Sequence, residues 1–544
     1  MPKILPSILI FLLPYTPALA MTGKTMNKSE LFHQHSENRG FVKSGTPQLY
    51  QLLFGTGAES AAFRAAYTEL SRPAMDAFAD SNNKHFRAHY DTTGFNAPNM
   101  TDRDLNGVPD YVDSTLVYLE YAWSLVIKLG YGAPRTDTMQ GGSNAVDVYL
   151  EDLAPQKYYG VTYPDESFTT MGSSFLVLDN NYTDAVFPTK GYAALRVTSA
   201  HEFFHVIHYS YYGGGDAIWW MEESAVWMED YAWDDVNDYL NYIDSYLLNR
   251  DISLDTNDQS MYGASLFAFF MAKKYGNDII RQVWNTFRDR QSGKIDLLNM
   301  VLPEGLPAAL DDLGVWLYFT GKRANPVDFL KDSALFKNAP TPGTTHMTIP
   351  AVDSLTFQRC TFKYVEISPP NGFAASDSLS FYFYERDGGI WKKEVILYNS
   401  PTDYAVKKLT DSPALVVAPR AFQKAIMVIA LGSTEFQQRH IAYKVNRGYE
   451  KPVVPVPVAF TLNQNYPNPF NKETVITYYV PSESHIKLRV VNLAGQTVSI
   501  LADRVDQKGP HSEPFQAAGL SSGVYLIILE SGNTRITRKM LYLK

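Results

Sequence analysis

The sequence contains little cysteine and little charge. Cys360 is its single cysteine among 544 residues, so the chain cannot form an internal disulfide. Charged residues make up 19% of the chain, the net charge is −9 and basic residues form no block, which argues against nucleic acid as a partner. Apolar residues account for 45%, and this composition, together with the length, predicts a globular protein of more than one domain.

Long apolar runs are also missing, except at the N-terminus. Lys3 precedes the run ILPSILIFLLPYTPALA, which ends on the small-x-small triplet Ala18-Leu19-Ala20. This pattern is typical of a secretory signal peptide, here residues 1–20, that is cleaved after Ala20. A retained membrane anchor is the alternative. The mature chain is therefore expected to be exported and to have no membrane-spanning segment.

The rest of the chain divides by its patterns of apolar residues. Residues 21–84 are mostly helical in pattern and form either a prosegment or a helical layer packed on the next domain. Residues 85–335 mix strand and helix patterns and predict an α+β domain. Short β-type runs separated by turn residues predict an antiparallel β-sandwich over residues 341–450 and a smaller β unit over residues 459–544.

A proline-rich stretch separates the two β regions. Residues 451–458 read KPVVPVPV, and proline fixes φ and favours extended polyproline II backbone. This composition predicts a stiff linker. The chain is therefore expected to carry its C-terminal unit on a spacer.

Three motifs occur in order along the C-terminal unit. They are NYPNPFN at residues 465–471, VNLAGQ at residues 491–496 and LSSGVY at residues 520–525. Together they resemble the C-terminal sorting domain of type IX secretion substrates. The resemblance implies a small immunoglobulin-like β-sandwich, recognition by an outer-membrane export machinery, and a protein that is secreted or held at the cell surface.

A candidate metal site lies in the segment His201-Glu202-Phe203-Phe204-His205. Residues 192–212 contain no proline or glycine and predict a helix, which three glycines at residues 213–215 would end with a left-handed C-cap. On a helix, residues four apart share a face, so His201 and His205 can bind one zinc ion. Glu202 can then reach a water molecule at the metal and act as general base.

A catalytic zinc site needs a third protein ligand, and the next predicted helix offers Glu222 and Glu223. The stretch WWMEESA at residues 219–225 resembles the WxxExxA signature of gluzincin metallopeptidases. The resemblance implies a zincin-like catalytic domain with Glu222 as the third ligand, and Glu223 remains the alternative. Glu229 is a candidate acceptor of a hydrogen bond from a ligating imidazole, with Asp230 as its rival. Both acids are alternatively solvated residues of a helix surface.

Two other features are candidates for a substrate cleft. In gluzincins an edge strand before the metal helix pairs with the substrate, and residues 174–178 stand in that order, although they equally fit an ordinary sheet strand. Tyr262 is a candidate hydrogen-bond donor to a developing oxyanion, or else a packing residue. His208 is read as a residue of the rim or the packing rather than as a fourth ligand.

A second metal site of a different kind is predicted at residues 102–113, DRDLNGVPDYVD. Oxygen-bearing residues stand at loop positions 1, 3, 5, 9 and 12, with glycine at position 6, which is the spacing of an EF-hand calcium loop. An aspartate replaces the usual glutamate at position 12. The alternative is an acidic turn that caps the following helix. The predicted calcium ligands are Asp102, Asp104, Asn106, Asp110 and Asp113, with the carbonyl of Val108.

These patterns predict a multidomain protein: an α+β zincin-like catalytic domain, an antiparallel β-sandwich domain and a small immunoglobulin-like β-sandwich tail. The expected function is that of a secreted zinc-dependent peptidase that acts on a protein or peptide substrate, with zinc and calcium as cofactors. The alternatives are an extracellular binding or adhesion protein with an inactive zincin-like domain, and a metal-dependent hydrolase that acts on another kind of bond.

Overall fold

The computed structural model describes residues 26–36, 40–166, 171–385, 388–410, 413–435, 437–448, 460–465, 468–532 and 534–543. The chain forms two compact units, one within residues 26–448 and one within residues 460–543. The predicted signal peptide and the proline-rich linker lie outside the described residues.

The α-helices of the described chain lie in the first unit. They are α1 (Lys28–Ser36), α2 (Thr46–Phe54), α3 (Ala58–Thr68), α4 (Asp110–Lys128), α5 (Gly191–Tyr211), α6 (Ile218–Ala232), α7 (Ile243–Leu248), α8 (Met261–Ala264), α9 (Leu266–Tyr275), α10 (Asp278–Arg290) and α11 (Gly305–Tyr318). Each helix among the described residues is too short or too polar to cross a lipid bilayer.

A mixed sheet forms the centre of the α+β region. Its strands are β1 (Ala77–Asp80), β2 (Phe86–Tyr90), β3 (Val146–Glu151), β4 (Gly160–Pro164) and β5 (Ser174–Asp179), in the order β1-β2-β3-β5-β4. The three inner strands are parallel and the two outer ones antiparallel to their neighbours. Because β5 is hydrogen-bonded on both sides, the idea that residues 174–178 form a substrate-pairing edge is wrong. The edge strand is β4, which precedes β5 in the chain but lies outside it.

Helices cover both faces of this sheet. Side chains alternate along a strand, so Leu176 and Leu178 of β5 join the main core with α4 and α5, while Phe175 and Val177 point to the other face. There they pack in a separate core with α1, α2 and α3, which includes Phe32. The described part of the N-terminal segment is thus a layer that covers apolar sheet surface.

Two further sheets form a β-sandwich in the same compact unit. Their strands are β6 (Thr344–His346), β7 (Ala351–Phe357), β8 (Thr361–Ile367), β9 (Ser378–Glu385), β10 (Trp391–Ser400), β11 (Asp403–Lys408), β12 (Ala414–Val417), β13 (Lys424–Leu431) and β14 (Arg439–Arg447). The sheet orders are β11-β10-β13-β8-β6 and β12-β9-β14-β7. Helix α11 packs on the first of these sheets, where the Tyr364 hydroxyl donates to the Gly314 carbonyl over 2.6 Å. The sandwich therefore shares a core with the α+β region.

The second unit consists of antiparallel strands. They are β15 (Thr461–Leu462), β16 (Glu473–Val480), β17 (Ser484–Asn492), β18 (Thr497–Asp506), β19 (Gly509–Gln516), β20 (Gly523–Ser531) and β21 (Thr534–Tyr542). They form the sheets β15-β16-β19 and β18-β17-β20-β21 around a separate apolar core. The predicted β-rich character of the C-terminal regions is confirmed.

The glycines after α5 have a different role from the one predicted. The helix ends at Tyr211, but none of Gly213, Gly214 and Gly215 has a positive φ. A Cβ on Gly213 would lie 2.2 Å from the Tyr209 ring, and one on Gly214 would lie 2.2 Å from the Tyr212 hydroxyl. Close approach of aromatic rings, rather than a left-handed C-cap, therefore requires glycine at this turn.

Candidate functional site

The turn at residues 212–217 brings α6 back onto α5, and this pairing assembles the candidate metal site. Glu222 Oε1 lies 3.1 Å from His205 Nε2, and Glu222 Oε2 lies 3.3 Å from His201 Nε2. All three side chains are buried, with at most 3% of their surface exposed. The structure therefore brings together the three residues that were predicted as ligands.

A chain of hydrogen bonds fixes the orientation of His205. The Ser224 hydroxyl donates to the Trp220 carbonyl over 2.6 Å and so accepts from His208 Nε2 at 3.2 Å. His208 then carries its proton on Nε2 and accepts from His205 Nδ1 at 3.3 Å. Burial holds the pKa of His208 well below its usual range, which keeps its ring neutral. Because Nδ1 faces His208, the other ring nitrogen of His205, Nε2, is directed at Glu222.

Glu229 orients the other imidazole. Its Oε1 accepts from His201 Nδ1 at 2.6 Å, so His201 also directs Nε2 towards Glu222. Its Oε2 lies 3.0 Å from Nζ of Lys43, a residue of the N-terminal layer. Lys43 forms a second ion pair with Asp238. The acid predicted to support a ligating histidine is thus in contact with one.

The charges and the unsatisfied polar atoms at the site favour the binding of a cation. In the absence of a metal ion, burial lowers the pKa of His201, but Glu222 and Glu229 outweigh it and raise the value to about 10. Burial raises the pKa of Glu222, whereas His205 and His201 lower it to about 2. The Nε2 atoms of both histidines and both Glu222 oxygens are buried without a hydrogen-bond partner among the described residues. A proton or a metal ion would balance this arrangement.

The spacing of the donor atoms suits a small tetrahedral ion. Two ligands at about 2.0–2.1 Å from a tetrahedral zinc ion lie about 3.3 Å apart. The distances from Glu222 to His205 and His201, 3.1 and 3.3 Å, match this value. Each histidine therefore lies at zinc-ligand spacing from one oxygen of Glu222, and the three side chains could hold such an ion.

The two rival acids lie away from these donors. Glu223 is fully buried with no hydrogen-bond partner among the described residues, and burial, followed by the charge of Asp255, holds its pKa well above its usual range. Asp230 is paired with Lys331 at 2.7 Å. In both cases the acid one position earlier in the sequence, Glu222 or Glu229, is the one that faces the histidines.

Glu202 is held by hydroxyl groups from three positions. It accepts from Thr162 at 2.8 Å, from Ser44 at 2.9 Å and from Thr46 at 3.2 Å. Thr162 belongs to the edge strand β4, and Gly160 of that strand allows the close approach, because a Cβ there would lie 2.8 Å from Glu202 Cγ. Ser44 and Thr46 belong to the N-terminal layer. Glu202 has no exposed surface in this arrangement.

Residues 42–46 lie along the edge strand β4 and the residues just before it, and we call the space that they fill the groove. The Val42 amide donates to the Lys157 carbonyl at 2.9 Å, and the Lys43 carbonyl accepts from the Tyr159 amide at 3.1 Å. Ser44 forms a parallel β-bridge with Gly160. Residues 42–46 thus pair with the outer edge of the sheet, as an added strand does in β-augmentation.

Tyr262 contacts the same segment. Its hydroxyl lies 3.3 Å from the Ser44 carbonyl oxygen and accepts from the Ser44 amide at 3.2 Å. Burial, followed by the nearby charge of Glu222, holds the pKa of Tyr262 well above its usual range, so the phenol keeps its proton. The Tyr262 hydroxyl is therefore placed to bond a peptide group in the groove.

The predicted calcium loop forms a compact group of oxygens. One carboxylate oxygen from each of Asp102, Asp104 and Asp110 lies within 4.8 Å of the others. Asn106 Nδ2 donates to Asp113 Oδ2 at 2.9 Å, and Asn106 Oδ1 accepts from the Val108 amide at 2.7 Å. The loop turns at Gly107, whose φ of 87° favours glycine, and α4 begins at Asp110. Three of the predicted acids therefore lie close together at the start of α4, and Asn106 links the loop to Asp113.

Comparison with known families identifies the second unit. Residues 464–542 match the family model described as the secretion system C-terminal sorting domain. This domain directs a chain to the type IX secretion machinery, so the protein is exported to the cell surface or secreted. Within the domain, Asn492 Oδ1 accepts from the amides of Ala494 and Gln496, both at 3.0 Å, and Gly495 takes a φ of 81°. The predicted VNLAGQ motif is thus a hydrogen-bonded turn between β17 and β18.

Other comparisons give little similarity. No curated protein matches the chain in sequence. Among solved structures, PorZ of Porphyromonas gingivalis has 12% identity over 19% of this chain and 14% of its own, with a TM-score of 0.12. Endo-D of Streptococcus pneumoniae has 10% identity over 35% of this chain and 33% of its own, with a TM-score of 0.14. A β-1,2-glucanase of Parabacteroides distasonis has 12% identity over 36% and 33%, also at 0.14. The chain spans about a third or less of the length of these three proteins.

Proposed function

We propose that this protein is a secreted zinc peptidase of the gluzincin type. One observation carries the proposal: two oriented imidazole Nε2 atoms and a buried carboxylate lie at the spacing of zinc ligands, next to Glu202. His201, His205 and Glu222 would hold the ion. Three protein ligands leave a coordination position for water, which is the arrangement of a catalytic rather than a structural site.

The residues around the ion have separate tasks. Bound zinc would supply Lewis-acid chemistry, which acidifies water and polarises a carbonyl group. Glu202 takes the proton from the attacking water and passes it to the leaving amine. Tyr262, whose hydroxyl lies against the carbonyl of Ser44, donates a hydrogen bond to the oxyanion of the substrate. The edge of β4 binds the substrate backbone.

Turnover requires residues 42–46 to leave the groove. Ser44 and Thr46 occupy two of the hydrogen-bonding positions of Glu202, and the segment fills the edge of β4 that a substrate would need. The described form is therefore closed. We call the full-length chain with Ser44→Ala and Thr46→Ala the opened chain, because both replacements remove hydroxyl groups that hold the segment on Glu202.

The opened chain is expected to cleave peptides faster than the wild type. A hydrogen bond to a charged group contributes about 1.5–3 kcal/mol, so loss of two such bonds should raise the population of the open groove, and with it the rate, by at least about tenfold. The measurement is cleavage of a mixed peptide library, followed by mass spectrometry. Thr68→Ala, which removes a hydroxyl from α3, is the matched control and should leave the rate unchanged.

Metal dependence completes this test. Treatment of the opened chain with a chelator should abolish cleavage, and one equivalent of zinc should restore it. Failure of both the wild type and the opened chain to cleave any peptide, with zinc bound and the fold intact, would contradict a peptidase. That result would favour the alternative of a binding or adhesion protein with an inactive site.

We further propose that residues 102–113 bind calcium and stabilise the start of α4. Binding at about 10 to 100 times Kd adds about 1.4–2.7 kcal/mol of stability. Calcium should therefore raise the Tm of the wild type by a few degrees, but not that of Asp102→Ala combined with Asp104→Ala. Asp289→Ala, at an exposed acid of α10, is the control and should keep the calcium response. An equal rise in Tm for the double variant would refute the site.

A further inference from the structure

Lys43 is a buried cation that reaches into the α+β region. Its side chain is 3% exposed, and its ammonium group is paired with Asp238 and with Glu229. The rings of Tyr159 and Tyr242 lie 5.4 and 4.9 Å from Nζ. Two carboxylates and two aromatic walls make a pocket whose chemistry suits a cationic side chain.

The pocket is built independently of Lys43. Asp238 Oδ1 accepts from Tyr159 at 3.3 Å and from Asn241 Nδ2 at 3.2 Å, and it also bonds the hydroxyl of Thr189. These partners come from outside the N-terminal layer. Because they hold Asp238 in place through one oxygen, the other oxygen stays directed at the ammonium group. The acid therefore remains positioned when Lys43 departs.

The pocket lies close to the proposed general base, Glu202. Lys43 precedes Ser44, whose hydroxyl bonds Glu202, and the carbonyl of Lys43 is paired with the Tyr159 amide next to β4. A peptide that replaces residues 42–46 in the groove must therefore pass this pocket with a side chain close to the bond that is cut.

The charge balance indicates what that side chain should be. Burial lowers the pKa of Lys43, but Asp238 and Glu229 outweigh it and hold the pKa above its usual range. When the segment leaves, Asp238 loses the cation that faces its second oxygen and Glu229 keeps only its contact with His201, so the pocket is left with a buried, unbalanced negative charge, which is unfavourable. A lysine or arginine side chain would restore the pair, whereas an apolar one would not.

We infer that the Asp238 pocket is a substrate subsite that selects a basic side chain beside the scissile bond. This inference rests on the proposed peptidase function. The other outcome is that the pocket serves only to hold Lys43 in the closed form, and two experiments separate these roles.

The first experiment measures binding and does not depend on catalysis. The protein is the opened chain with Lys43→Ala, and the probe is the blocked peptide FVKSGT, which reproduces residues 41–46. We expect calorimetry to show at least tenfold tighter binding than for the same peptide with norleucine in place of lysine. Asp238→Asn should remove this preference, and Asp235→Asn, at an exposed acid paired with Arg196, should keep it. Equal binding of both peptides, or binding of neither, would overturn the subsite.

The second experiment reads the cleavage sites. The same chain should cut a random peptide library with lysine or arginine enriched at least tenfold at one position beside the cut, and Asp238→Asn should reduce that enrichment. Cleavage without a basic preference would overturn the subsite but leave the peptidase in place. No cleavage, with lysine-selective binding intact, would refute the peptidase instead. If melting curves show that Lys43→Ala is unfolded, Lys43→Met, which keeps an apolar stem, replaces it in both experiments.

Discussion

Replacement of Glu202 by glutamine is expected to lower peptide hydrolysis by the opened chain by about 10²- to 10⁴-fold, which is the usual contribution of a general base. Glutamine has the same shape but cannot take a proton from water. The hydroxyl of Thr162 can turn to accept from its amide, so the fold should be retained. The measurement is kcat/KM on a peptide that the opened chain cleaves, together with zinc content by mass spectrometry.

The activity and the zinc content of Glu202→Gln together show whether Glu202 acts in the chemical step or in metal binding. Zinc content should stay at one equivalent in Glu202→Gln, because the proposed ligands are His201, His205 and Glu222. Glu59→Gln, an exposed acid at the start of α3, serves as the control and should retain full activity. Undiminished hydrolysis by Glu202→Gln would refute the proposed mechanism, even if the metal were present.

Replacement of Glu222 by glutamine should have its largest effect on zinc affinity. Loss of a residue that only supports a ligand costs about 10- to 100-fold in affinity, so loss of the charged ligand itself should cost at least about 100-fold. Hydrolysis at limiting zinc should fall with it. Competition with a chromophoric chelator measures the affinity directly.

The neighbouring acid provides a matched control for this prediction. Glu223 is equally buried, but its carboxyl lies away from the histidines and burial raises its pKa, which favours the neutral form. Glutamine resembles that neutral form, so Glu223→Gln should keep zinc and should not lower the Tm. Loss of zinc in Glu223→Gln with retention in Glu222→Gln would reverse the assignment of the third ligand.

Local spacing explains why part of the site could be predicted from the sequence. His201, Glu202 and His205 lie within five consecutive residues of one helix, and their relation is set by helix geometry. Glu222 and Glu229 lie seven residues apart on the next helix, and the sequence around Glu222 favours it over Glu223; in the structure Glu222 is the acid that faces the histidines. The proposed calcium loop is likewise a single short segment with a regular pattern.

Contacts between segments that lie far apart in the sequence could not be predicted. Ser44 and Thr46 lie more than 150 residues before Glu202, with separations of 158 and 156, and no periodicity or motif marks them as its partners. Chain order alone predicts β5 as the edge strand, because β5 is the last strand before α5. The structure instead places β4 outside β5, which brings Thr162 and Gly160 against Glu202. Such relations depend on sheet topology, which pairwise spacing in a sequence does not determine.

In the β-rich C-terminal regions, too, only part of the structure could be predicted from the sequence. Alternation and turn residues were sufficient to predict strands after residue 341, but they did not reveal that α11 packs on the sandwich. Gly314 of α11 makes that contact possible, because a Cβ there would lie 2.6 Å from Val428. The sequence shows a glycine within a helix but does not show which residue packs against it.

Diffraction from the zinc-loaded chain at the zinc absorption edge would locate the metal directly. We expect an anomalous peak at about one equivalent, about 2.0–2.1 Å from Nε2 of both His201 and His205 and bound by a Glu222 oxygen. A peak at any other group of residues, or no peak between these three side chains when zinc is bound in solution, would contradict the proposed zinc site.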